Sequence, residues 1–194
     1  MGRLLPRDRA LSLRFGVADS VLWALSCAAA MGATAFLGGI AANFTGAVLA
    51  VGQGVVIARL GVPFLRWSSW SLGGWLLGNT LFGRFLSPAL GGFSTPLARD
   101  MAISAAAFAV LGGAQTAVLR GFVTAAGWWV PASAGGGAAI ILLAVPVRLA
   151  GFSPIEAGLG VPAAEGAVAG LIGLAYGGLT GFALSWLASL HHHQ

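Results

Sequence analysis

Residues 51–78, VGQGVVIARLGVPFLRWSSWSLGGWLLG, set a glutamine inside an apolar run and follow it with arginine, tryptophans and paired glycine. Residues 113–137, GAQTAVLRGFVTAAGWWVPASAGGG, repeat much of that spelling. A shift of 62 residues carries Gln53 onto Gln115, Val56 onto Val118, Trp67 onto Trp129, Ser71 onto Ser133, and Gly73 and Gly74 onto Gly135 and Gly136, without a gap. Each copy is long enough for two helices joined by a short arginine-bearing turn, so the repeated unit reads as a helical hairpin. The last span extends the pattern as half of a third copy, with Gly177 at the glutamine position.

The rest of the chain sets the solvent for those hairpins. Of 194 residues, 58% are hydrophobic and 8% charged, with a mean hydropathy of +0.90, against about 25% charged in soluble domains. A spanning helix needs about 20 mostly apolar residues. Proline and charge punctuate the sequence into six such stretches, at 18–41, 45–62, 67–87, 96–121, 128–148 and 163–189. The expected fold class is an all-α integral membrane bundle of about six transmembrane helices with a tandem hairpin repeat. It forms a single membrane domain over 1–194: a cytoplasmic segment at 1–17, hairpins at 45–87 and 107–149, and a last span at 163–189. The basic start MGRLLPRDRALSLRFG precedes an apolar run too long for a cleaved signal, which has a core of about 7–15 residues, so the first span is expected to be retained.

Ten basic residues, all arginine, give a net charge of +5 and a pI near 11.4. They are scattered rather than clustered with aromatics, which argues against nucleic acid. Placing the start of the chain in the cytoplasm puts Arg3, Arg7, Arg9, Arg14, Arg59, Arg66 and Arg120 inside and leaves Arg84, Arg99 and Arg148 outside, as the positive-inside rule favours. Both ends are then cytoplasmic, in a bacterial inner or photosynthetic membrane. Trp67, Trp70, Trp128 and Trp129 fall at the inner ends of spans and read as headgroup anchors. Cys27, the single cysteine, excludes an intrachain disulfide and reads as a small buried hydrophobe.

The motifs GAQTAVLR at 113–120, WWVPAS at 128–133 and YGGLTGFALSWL at 176–187 resemble an uncharacterised family of small multi-pass bacterial membrane proteins from cyanobacteria and related phototroph lineages. Its hairpins read Q-W-L-V-L-R, then W-W-x-x-A-S. The likeness covers residues 45–187, with Gly54 and Thr116 where the family has tryptophan after each glutamine. It implies the hairpin architecture and assigns no activity.

Polar residues inside the spans are the candidate sites. Gln53 and Gln115 would sit at equal depth in two parallel helices, either bonding to each other's helices or serving a substrate or the magnesium of a chlorophyll. Asn43 and Asn79 are the other intramembrane amides. Gly166, Gly170, Gly173, Gly177 and Gly181 form a bare stripe that permits close helix packing, within the bundle or against a partner, a pigment or a lipid. Asp19, Asp100 and Glu165 fall near helix beginnings, where carboxylates complement the dipole. Glu156 lies in a connection. No acid is expected in mid-membrane, and no span carries a histidine, since His191, His192 and His193 form a terminal tract. No catalytic or metal site is predicted.

These features predict a non-catalytic accessory or scaffold subunit of a larger bioenergetic membrane complex, photosynthetic or respiratory. It would pack through glycine-rich faces, with the bilayer as solvent and a chlorophyll-type pigment, carotenoid or lipid at its periphery. The alternative is a small transporter or substrate-binding transport component, since six spans in so short a chain also suit vitamin-uptake subunits. That alternative requires a polar cavity.

Overall fold

The computed structural model describes residues 15–38, 44–86, 95–123, 125–149 and 160–190. Asn43, the arginines before residue 15, Glu156 and the terminal histidines lie outside the described residues. Six α-helices and no strand occur among the described residues: α1 Val17–Leu37, α2 Thr45–Ala58, α3 Phe64–Gly78, α4 Pro96–Leu119, α5 Trp129–Leu149 and α6 Val161–Leu190. The helix of α3 runs on in wider π turns over Asn79–Leu86, and a 3₁₀ turn at Ala126–Trp128 leads into α5.

The boundaries have local causes. The Asp19 carboxylate accepts from the Gly16 N–H at 2.9 Å, closing the start of α1. Thr95 Oγ1 accepts from the Ala98 N–H at 3.2 Å, and Pro96 takes the first helical position, where a missing N–H costs no helical bond. α2 stops at Ala58, four residues short of the expected end. Gly61 takes a φ of +86° in the turn that follows, a conformation cheap for glycine.

Among the described residues four helices are long and apolar enough to cross a membrane: Val17–Leu37, Pro96–Leu119, Ala126–Ala144 and Val161–Leu190. α2, with 14 residues, rises only about 21 Å at 1.5 Å per residue, against about 30 Å of hydrocarbon. Consecutive helices pack side by side, and α6 returns to α1, closing a ring. The α1–α6 seam is the most extensive contact in the molecule, and glycine explains its closeness. A Cβ on Gly173 would lie 2.6 Å from the Cys27 carbonyl oxygen, and one on Gly177 would lie 2.6 Å from Ala24 Cα. Gly166 and Gly32 face each other across the same seam. The stripe from Gly166 to Gly181 is therefore occupied by the chain's own first helix.

Side chains fill the centre of the ring. Trp23, Trp67 and Trp129, from α1, α3 and α5, are each fully buried. The Trp23 ring meets those of Trp67 and Trp129 edge to face, at centroid distances of 5.7 and 6.0 Å. Such pairs are worth about 0.5–1.5 kcal/mol beyond their burial. This corrects the expectation for Trp67 and Trp129: a fully enclosed indole cannot reach the headgroup layer. Trp70 and Trp128 are exposed, and Trp128 meets Trp186 edge to face.

Candidate functional site

Below the tryptophans, hydrogen bonds tie five helices together. The Trp129 indole N–H donates to Gln115 Oε1 at 2.7 Å. Gln115 Nε2 donates to Ser71 Oγ at 3.0 Å and to Gln53 Oε1 at 3.3 Å. Gln53 Nε2 donates to Cys27 Sγ at 3.4 Å. The sixth helix joins nearby, where the Trp23 indole N–H donates to Thr180 Oγ1 at 3.0 Å and the Tyr176 phenol adjoins Gln53 and Cys27. A buried amide is costly unless its donors and acceptors find partners, and here the two glutamines are each other's partners. Both are at most 2% exposed, with both amide oxygens engaged. The knot therefore offers a pigment magnesium neither a free amide oxygen nor a way in.

Two polar atoms in this region lack a hydrogen-bond partner among the described residues: Trp67 Nε1 and Ser133 Oγ. Their counterparts under the 62-residue shift, Trp129 and Ser71, are both satisfied through Gln115. The knot is thus lopsided. Gln115 holds an indole, a serine and an amide, while Gln53 gives its oxygen to Gln115 and leaves the Trp67 N–H bare.

At the end of the ring opposite Arg59, Arg66 and Arg120, a cavity of about 450 Å³ opens between α1 and α5. That size lies in the range of about 300–1,000 Å³ typical of small-molecule sites. Its lining is graded by depth. At the rim stand Thr45, Asn79 and Asp100, the first two where α2 begins and α3 ends, the third in the opening turns of α4. One or two turns deeper on the same helices stand Leu49, Trp75 and Phe108, spacings that keep each pair on one helical face. Trp75 and Phe108 meet edge to face at 5.7 Å, and Phe108 meets Tyr176 at 5.2 Å. Ser104 lies between rim and floor with its hydroxyl donating to the Gly137 carbonyl oxygen at 2.7 Å. Among the described residues Asp100 is the only charged residue of the lining, and it pairs at 3.3 Å with the exposed Arg99 beside it.

Of the polar candidates read from the sequence, the structure brings Gln53 and Gln115 together in the knot and puts Asn79 on the cavity rim. Asp100, read as a helix-start carboxylate, joins the rim, and Trp75 and Phe108, which sequence reasoning did not single out, form the floor. Their signal was present as spacing: Asp100, Ser104 and Phe108 recur every four residues, as do Asn79 and Trp75. No group of three or more His, Cys, Asp or Glu that could hold a metal occurs among the described residues. A second, shallower groove faces outward between α3 and α4, lined by Ser69, Trp70, Gly73, Leu77, Val110 and Gly113. A Cβ on Gly73 or on Gly113 would meet open space. No family, curated protein or solved structure matches the chain.

Proposed function

We propose that this chain is a non-catalytic, multi-pass membrane protein that binds a small molecule in the vestibule between α1 and α5, as the substrate-binding component of a transport system. The single observation that carries the reading is the vestibule itself, a cup with a polar rim and an aromatic floor built by five helices. The buried knot and the tryptophans beyond it, on the side away from the vestibule, are suited to a receptor that holds its ligand rather than to an open pore. In this reading all six helices traverse the bilayer, the short α2 by local thinning of the membrane around it, both chain ends are cytoplasmic and the vestibule opens outward, away from Arg59, Arg66 and Arg120. The two hairpins are copies related by the 62-residue shift, in line with the resemblance to hairpin-repeat proteins of phototroph lineages. The Gln115–Gln53 bond supports the repeat, because it requires the two equivalent residues to lie at nearly the same depth.

The test is native mass spectrometry of protein gently purified from its own membranes. A small-molecule adduct is expected on the natural chain and absent from Ala107→Phe, which fills the vestibule. An adduct that survives the substitution, or none on either protein, would overturn the reading.

A second reading, an accessory subunit of a larger bioenergetic complex, rests on the outward groove at Gly73 and Gly113, since the stripe on α6 is already taken by α1. Gly113→Leu should then release a co-purifying partner while the chain still inserts and folds. Co-purification unaffected by Gly113→Leu counts against it.

A further inference from the structure

Resting on the vestibule reading, we infer the class of ligand: a protonated amine carried on a flat apolar or aromatic body. The polar and apolar residues of the cup are segregated by depth, so a ligand that fits it must itself be polar at one end. Its head would meet the Asp100 carboxylate and the Asn79 amide, and its body would reach Leu49, Ile140, Trp75 and Phe108. The sign of the head follows from charge. Asp100, half exposed at the rim, is the one charged residue of the lining among the described residues, and a carboxylate accepts charge-assisted bonds from a cation and repels an anion. The Trp75 and Phe108 rings at the floor give a flat apolar body an aromatic surface to pack against. Arg99, bonded to Asp100 at 3.3 Å, is outside the lining and competes with the ligand for the same oxygen, so the site is held neutral until an amine displaces the guanidinium. Exposed pairs of this kind are weak, screened by water and costly in side-chain order, so an amine can displace the guanidinium.

The probes are a matched set on one ring system: 1-naphthylmethylamine, 1-naphthylmethanol and 1-naphthoate, titrated calorimetrically into the full chain in phosphatidylcholine nanodiscs. The amine is expected to bind saturably and about tenfold more tightly than the alcohol, the scale of one charged hydrogen bond, with the carboxylate weakest. Asp100→Asn should erase the preference of amine over alcohol, and Arg99→Gln should strengthen amine binding. Ala107→Phe should abolish binding of all three, while burial of Cys27, read by slow maleimide labelling, confirms the fold. Equal binding of amine and alcohol, or preference for the carboxylate, overturns the ligand class and leaves the vestibule reading standing provided Ala107→Phe still blocks. No saturable binding of any probe to the folded chain overturns both.

Discussion

Gln115 and Gln53, 62 residues apart, are hydrogen-bonded through their side chains at 3.3 Å, although their helices are not neighbours in the ring. The bond crosses the interior between α4 and α2, and every other bond of the knot is anchored on one of these two amides. Interhelical hydrogen bonds in membranes are individually modest, averaging about 0.6 kcal/mol. Several on one residue, each leaving a buried orphan when removed, amount to more.

Gln115→Leu should therefore destabilise the bundle by about 1–3 kcal/mol, since it strands the Trp129 N–H and the Ser71 hydroxyl together. Gln53→Leu should cost less, because Gln115 keeps Ser71 and Trp129. Reversible unfolding in mixed micelles checks the order; equal losses would contradict the lopsided knot.

The two serines give a sharper contrast. Ser71 Oγ accepts from Gln115, whereas Ser133 Oγ is buried without a partner. Ser133→Ala is expected to be neutral or stabilising and Ser71→Ala destabilising by about 1 kcal/mol. By the same logic Trp129→Phe should cost more than Trp67→Phe, whose N–H is unpartnered. Thermal melts of the four variants decide it.

Along α6, Gly173→Leu or Gly177→Leu should open the seam, because the added side chain meets α1 backbone. Cys27, 0% exposed, then becomes reactive to maleimide. Gly178→Ala, one position along and facing open space, should be tolerated and gain up to about 1 kcal/mol in helix propensity. A folded, unreactive Gly177→Leu protein would refute this packing.

Reporter fusions after position 92 and at the last residue should fall on opposite sides of the membrane. Both on one side would remove the proposed orientation and with it the outward-facing vestibule.

The helices were legible because proline, glycine and charge interrupt an apolar text. Pro96 behind Thr95 marked a start to the residue. What stayed hidden was direction around each helix. Trp67 and Trp70 are three residues apart and one is enclosed while the other is exposed, but both head a span, where sequence alone favours an interface. The buried face of α3, Trp67, Ser71, Gly74 and Gly78, keeps helical spacing, yet with apolar residues on every side no contrast marks it. Trp23 and Cys27 repeat the spacing of Trp67 with Ser71 and of Trp129 with Ser133. Sliding the chain along itself misses that third pair, since its matching half lies on the last helix and the shift runs off the end. The vestibule was out of reach for a related reason: it is assembled from single residues of five helices, and only their juxtaposition makes them a site.

The seam between α6 and α1 also fixes an order of events during synthesis. α1 is made before α6 with four helices between them, so the surface around Ala24, Ala28 and Gly32 waits for its tightest neighbour until those four have been made. Without α6 the seam along α1 has no partner and the ring stays open between α1 and α5. The circle closes only when α6 has joined α1.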